Sequence, residues 1–281
     1  MLSENQPLKS GNIGKIDGYQ IMEKIQLKLK TKIKNKIVTI SIAMLLLSII
    51  MVGAAGAATN QQRYHQPIAT PTPVPISTSA LTPPGQNVIN WSGYTWDVRT
   101  GTGGPGTNSW TNENVWVDSQ NRLHLKITNV NGKWYCAELS TQIPVSYGTY
   151  TFNVANDPSV YADNVVAGLF YYLSDKDEID IEFSRWNLAN TPNTQYTVWG
   201  PDGGIESARY ETNAQNTTHK FVWSPSSINF QSVGIGTWNY NGYIPTPKGV
   251  LDINLWLFNN PEPKDGKEQE LILNSVQYVP S

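Results

Sequence analysis

Asp177-Glu178-Ile179-Asp180-Ile181-Glu182-Phe183 alternates acidic and apolar residues from end to end. Successive side chains of a strand point to opposite faces, so a strand here carries Glu178, Asp180 and Glu182 on one face and Ile179, Ile181 and Phe183 on the other. The apolar face asks for a core beneath it. The acidic face asks for a reason, because like charges held side by side cost energy, and a merely wet strand face ordinarily carries Thr, Lys or mixed charge. Three carboxylates on one surface therefore read as a chemical constellation.

Outward from this segment, short runs rich in Val, Ile, Thr, Tyr, Phe and Trp alternate with Gly, Pro, Asn and Asp clusters. The expected strands are Arg122 to Thr128, Tyr147 to Val154, Val165 to Tyr172, Glu178 to Phe183, Thr194 to Trp199, His219 to Trp223, Ser227 to Val233 and Leu251 to Phe258. Short strands without helical periodicity, in a chain of 281 residues with 22 Gly and 18 Pro, predict a single all-β sandwich or jelly roll rather than a parallel α/β sheet. The strand-rich region spans 85–281.

Upstream, three segments of different character are expected. Residues 1–36 are basic, with Lys24, Lys28, Lys30, Lys32, Lys34 and Lys36 closing the run. Ile37 to Ala58 holds about 22 uncharged residues, enough to cross a hydrocarbon core of about 30 Å as one transmembrane helix. Arg63 is the only Lys or Arg from there to Arg99, so the positive-inside rule keeps the N-terminus cytoplasmic and exports the rest. A cleaved signal peptide, with Ala55-Gly56-Ala57 as the small-residue site and Met22 as the start, is the competing reading and would make the protein secreted. Residues 59–84, rich in Pro and Thr, form an extended linker.

Composition excludes several functions. With 15% charged residues and a formal net charge of −2, no basic surface is available to neutralise nucleic-acid phosphates. Cys136, the only cysteine, cannot form an intrachain disulfide and reads as a small buried side chain. Gly101 to Gly106 lacks the strand, helix and GK[ST] ending of a phosphate cradle and reads as a flexible cleft-side loop. Asn90-Trp-Ser92 and Asn216-Thr-Thr218 match the glycosylation sequon, a motif short enough to arise by chance.

The carboxylate spacing suits glycoside chemistry. A retaining glycosidase places two carboxyls ~5–5.5 Å apart. Residues i and i+4 of a strand have Cα atoms ~13 Å apart, and two glutamates leaning together recover roughly 4 Å each. Asp180 between them can share a hydrogen bond with Glu178. A carboxylate ionising beside another raises its neighbour's pKa, which lets Glu182 stay protonated as an acid.

EIDIEF resembles the E-[ILV]-D-[IV]-E signature of family 16 glycoside hydrolases, the laminarinases and lichenases. Trp116 to Thr128 resembles that family's early hairpin, Ala137-Glu138-Leu139 with Tyr147-Gly148 its AEL…YG pattern, and His219 to Pro225 and Ile253 to Trp256 its later segments. The likeness covers residues 87–281. It implies a jelly-roll sandwich of two curved antiparallel sheets, with Glu178 as nucleophile, Glu182 as general acid/base and Asp180 as assisting carboxylate. It also implies a polysaccharide substrate of β-1,3 or mixed β-1,3/1,4 glucan type. No cofactor is required by that chemistry. A structural calcium of the family would fall at Asn274, a neutral ligand in place of an Asp. The chain departs from the pattern after Tyr147-Gly148, where an expected Arg and Lys are replaced by Tyr150 to Ala155, removing a cationic sugar contact. Trp186, continuing the even-numbered face, is the first candidate sugar platform, followed by Trp199, Tyr196 and Trp110. A non-catalytic carbohydrate-binding module and a cell-surface transglycosylase remain open on the same sandwich. The expected partners are polysaccharide and, through the N-terminal helix, membrane; the chain is expected to act as a monomer.

Overall fold

A computed structural model describes residues 81–281. The basic segment, the apolar run Ile37 to Ala58 and most of the linker lie outside the described residues, and among the described residues no helix is long and apolar enough to cross a membrane.

Two eight-stranded antiparallel sheets face each other. The first runs, in spatial order, β1 (Val88–Trp91), β2 (Tyr94–Val98), β8 (Ala137–Thr141), β17 (Val250–Leu257), β10 (Val165–Ser174), β11 (Asp177–Phe183), β12 (Thr194–Gly200) and β13 (Gly203–Glu206). The second runs β16 (Gly236–Tyr240), β15 (Ile228–Ser232), β14 (Thr217–Trp223), β9 (Gly148–Val154), β18 (Gln269–Pro280), β6 (Leu123–Val130) and β5 (Val115–Val117), with β7 (Lys133–Tyr135) paired to β6. The Gly-rich segment expected as a loop is instead a hairpin, β3 (Gly101–Gly103) with β4 (Asn108–Trp110). Ordered pairing begins slightly before residue 85, since the Thr82 N–H donates to Val117 O at 3.1 Å.

The alternation in β11 does what its chemistry requires. Ile179, Ile181 and Phe183 are fully buried in the core between the sheets, together with Leu169 and Tyr171 of β10, Ile253 of β17 and Phe221 and Trp223 of β14. At about 25 cal/mol per Å² of apolar surface removed from water, burying each such side chain is worth roughly 1.5–3 kcal/mol, and this fixes the register. A slip of one residue would bring the carboxylates into the core. All eight expected strands are present with bounds within two residues.

Cys136 is buried and its thiol is pushed up to about 12 by burial, so it remains an inert apolar group. His219 is fully buried between Ser232 Oγ and Thr217 Oγ1, at 2.6 and 2.8 Å, and burial pulls its pKa down to about 3. It packs as a neutral structural residue.

Candidate active site

The outer face of the first sheet forms the floor of a cleft of about 740 Å³. Cross-strand register orders that floor into rows. Trp199 lies beside Glu178, and Glu178 beside Tyr172. Asp180 lies beside Phe170, then Asp252 and Ser140. Glu182 lies beside Gly168, then Asn254 and Glu138. With strands ~4.8 Å apart, Asp252 stands about 10 Å from Asp180, across the width of β10.

Glu178, Asp180 and Glu182 all line the cleft, as the alternation predicts. Strand β12 braces them from one side. The Trp199 indole Nε1–H donates to Asp180 Oδ2 at 2.9 Å, and the Thr197 hydroxyl donates to Glu182 Oε2 at 3.3 Å. The Thr197 oxygen accepts from Gln195 Nε2 at 3.4 Å, and Gln195 Oε1 accepts from the Trp186 indole at 3.1 Å. A polar chain thus runs from Trp186 to Glu182, so Trp186 and Trp199, two of the three tryptophans expected as platforms, are tied to the acidic row.

Two glycines make room for this arrangement. A Cβ on Gly168 would sit 2.5 Å from Asn254 Oδ1, which instead accepts the Gly168 N–H at 3.0 Å. A Cβ on Gly204 would sit 3.0 Å from the Trp199 ring, so the indole rests directly on bare backbone.

Burial dominates the electrostatics. It raises Glu178 above the usual carboxylate range; a hydrogen bond with Asp180 opposes this, while the charges of Glu182 and Asp252 add to it. Asp180, 3% exposed, is held well above its ordinary value by burial and then by its two glutamate neighbours. Burial raises Glu182 to about 7, against the pull of Thr197 and Arg209. Asp252, 6% exposed, is likewise raised by burial to about 7, with Ser140 and Arg99 opposing. Asp180 Oδ1 and Asp252 Oδ1 are both buried without a hydrogen-bond donor. Such atoms are costly as bare charge, which favours protonation of these carboxyls.

Of the four aromatic candidates, the structure keeps two at the cleft. Trp199 is 38% exposed, and Trp186 lines the cleft, edge-on to Phe258 at 4.9 Å. Tyr196 is corrected: it lies beside Ile181, is fully buried, and stacks on Phe230 at 5.0 Å, so it presents no face to a sugar. Trp110 is corrected as well. It is 2% exposed beneath the Arg99 guanidinium, 4.4 Å from its ring centroid.

Arg99 brings a cation to the cleft. It lines the cleft and donates to Glu138 Oε1 at 2.7 Å. Glu138, Asp252 and Asn254 were not singled out from sequence, although the signal was there. In Val250-Leu-Asp252-Ile-Asn254-Leu-Trp256, polar residues alternate with buried aliphatics as they do in β11. Asn274 is exposed, and its amide nitrogen faces Asn216 Oδ1 at 3.3 Å. A surface pair of neutral amides is a poor fit for a calcium ion, which takes six to eight oxygens, commonly including carboxylates. Among the described residues, no group of three or more His, Cys, Asp or Glu side chains is placed to hold a metal ion.

Comparison with known proteins agrees with this picture. Residues 106–236 match the family model described as Glycosyl hydrolases family 16. No curated protein matches the sequence. Among solved structures, a prokaryotic beta-1,3-1,4-glucanase (lichenase) from a mouse hindgut metagenome aligns with a TM-score of 0.56 at 23% identity, over 66% of this chain and 93% of that one. The Bacillus licheniformis beta-glucanase aligns at 0.55 and 22% identity, over 73% of this chain and 100% of that one. A Mycobacterium tuberculosis protein described as a pseudo beta-1,3-glucanase aligns at 0.56 and 20% identity, over 71% and 95%. At these identities the structural likeness establishes the fold, and the family model adds the segment that contains the acidic strand. Residues 106–236 thus resemble glycoside hydrolase family 16, on a fold shared with a lichenase and a beta-glucanase.

Proposed function

We propose that the domain is a retaining endo-glycosidase acting on a neutral β-glucan of the β-1,3 or mixed β-1,3/1,4 type. The observation that carries this reading is the row Glu178, Asp180, Glu182 on the cleft floor, with Trp199 at one end and Trp186 at the other. Glu178 attacks the anomeric carbon, and as the glycosidic C–O bond breaks, Glu182 gives its proton to the departing oxygen. Water then attacks the glycosyl ester, Glu182 takes a proton from it, and Glu178 leaves as a carboxylate. Burial of Glu182 supports the acid role, because a carboxyl raised to about 7 keeps its proton on about half of the molecules at neutral pH, where an ordinary glutamate has lost it. The cleft also contains Glu138, Asp175 and Asp252 against the single guanidinium of Arg99, an excess of acid that suits neutral chains and repels polyanions.

A non-catalytic glycan binder on the same sandwich is the second reading, favoured by the pseudo-glucanase among the similar folds. Incubation with laminarin, barley β-glucan, lichenan, agarose and xyloglucan, followed by product sizing, separates the two. We expect shortened laminarin or mixed-linkage glucan from the parent and intact polymer from Glu178→Gln. Binding to glucan without shortening, equal in parent and variant, would establish the binder instead.

A further inference from the structure

A second cavity of about 740 Å³ lies against the β3–β4 hairpin, apart from the cleft. Gly104 and Pro105 at the hairpin tip line the cleft, whereas Gly106 to Ser109 line this cavity. At the end of β17, Trp256 and Phe258 line the cleft, and Leu257 and Asn259 line the cavity. The hairpin is thus a wall that the two spaces share. It is fixed from within, because the Asn108 amide nitrogen donates to Pro105 O at 2.8 Å and to Leu257 O at 3.1 Å. The amide oxygen of the same residue accepts from the Cys136 thiol at 3.3 Å. Buried Asn164 holds the opposite rim: its Nδ2 donates to Glu262 O at 2.8 Å, and its Oδ1 accepts the Lys264 N–H at 2.9 Å.

Trp134 of β7, half-buried and packed on the core, brings an aromatic ring to this cavity. Around it, the side chains of Thr107, Ser109, Asn259, Asn260 and Glu262 have no hydrogen-bond partner among the described residues. Hydroxyl and amide groups left unspent beside a flat aromatic suit a hydroxyl-rich ring, whose C–H face covers the aromatic while its O–H groups meet donors and acceptors at the rim. The charges point the same way. Lys133 and Glu262 are the only charged side chains of the lining and offset each other, and the Lys133 ammonium already sits 4.8 Å over the Tyr135 ring. An anion finds one engaged cation there, and a divalent metal ion finds one carboxylate where it needs several oxygens. The volume falls within the ~300–1,000 Å³ of small-molecule sites, and walls fixed in advance lower the cost of ordering. We propose that this cavity is a second saccharide site, which holds a few units of a neutral glucan outside the cleft with Trp134 as its platform. The proposal takes its ligand class from the glucan reading and its place from the geometry of the cavity.

Such a site would keep a long chain on the domain while the cleft releases one stretch and takes up another. The test is a fluorine NMR titration of the full chain carrying Glu178→Gln, so that the sugar stays intact, labelled with 5-fluorotryptophan. The Trp134 and Trp199 signals are assigned through Trp134→Phe and Trp199→Phe. Laminaritriose and cellotriose serve as probes, taken to about 10 mM because a site with one platform binds weakly. We expect at least one of them to shift the Trp134 signal with a midpoint of its own, and to do so still when Trp199→Ala has removed the platform of the cleft. Retention on insoluble β-1,3-glucan should fall about tenfold in Trp134→Ala. Should that variant fail to fold, Asn259→Gly with Asn260→Ala removes rim groups while the ring stays, and should lower retention in the same direction. A Trp134 signal that neither sugar moves, or that moves only while Trp199 is present, overturns the proposal, as does a response to polygalacturonate alone. A Trp134 response in a protein whose parent form cleaves no glycan keeps the second site and removes the glycosidase reading. Cleavage by the parent with an unmoved Trp134 does the reverse.

Discussion

Asp252 shows what burial does to one carboxyl. Its folded-state value of about 7, against an ordinary 3.8, means that the native protein binds this proton more tightly than the unfolded chain does. Stability therefore falls as pH rises from about 4 to about 7 and stays reduced above that. Asp252→Asn removes the penalty. In urea unfolding, the variant should gain on the order of 2 kcal/mol over the parent at pH 8 and nothing at pH 4. An equal difference at both pH values would show that Asp252 is not the titrating group. Asp252 went unnoticed in the sequence because its alternating run, Asp252-Ile-Asn254-Leu-Trp256, holds a single acid where β11 holds three. Tyr196 and Trp110 were misplaced for the converse reason. Aromatic residues suit a sugar cleft and a core equally, and cross-strand register, which sets Tyr196 beside Ile181, is not written in any one segment.

At the scale of elements, β12 is a brace whose cleft-facing Trp199 and Thr197 hold Asp180 and Glu182 of β11. Thr197 bonds Glu182 and stabilises its charged form, lowering its pKa against the larger effect of burial. Thr197→Val keeps the shape and loses the hydroxyl, so Glu182 should retain its proton to higher pH. The basic limb of kcat/KM should move up by about half a unit to one unit, with a small loss of kcat from poorer orientation. An unchanged basic limb would detach Thr197 from the acid. The eight strands read from sequence are those with β-branched or aromatic runs between clear turn residues. The long central strand β18 was missed, and its geometry shows why. The register shifts between Leu273 and Ser275, a bulge that breaks the two-residue period a sequence pattern relies on. Short edge elements such as β13 and β3, built on Gly203-Gly204 and Gly101-Thr-Gly103, offer almost no side-chain signal at all.

For the whole molecule, one sheet supplies a core face to the sandwich and a reactive face to the cleft, and the same alternation in β11 specifies both. The acidic row was legible in the sequence, because Glu178, Asp180 and Glu182 lie within one continuous segment. The cleft around it was not, since Glu138 of β8, Asn254 and Trp256 of β17 and Arg99 just past β2 are brought together only by sheet order. The reaction we propose is double displacement with Glu178 as nucleophile and Glu182 as acid/base. The most direct measurement is the configuration of products formed with added azide on an activated aryl β-glucoside-type oligosaccharide. Glu182→Ala should still form the glycosyl ester, because the leaving group needs no proton, and azide should release a β-glycosyl azide of retained configuration. Glu178→Ala should give almost no product until azide replaces the nucleophile, and then only the inverted α-glycosyl azide. Swapped products would reverse the two roles, and parental turnover in either variant without azide would contradict the claim.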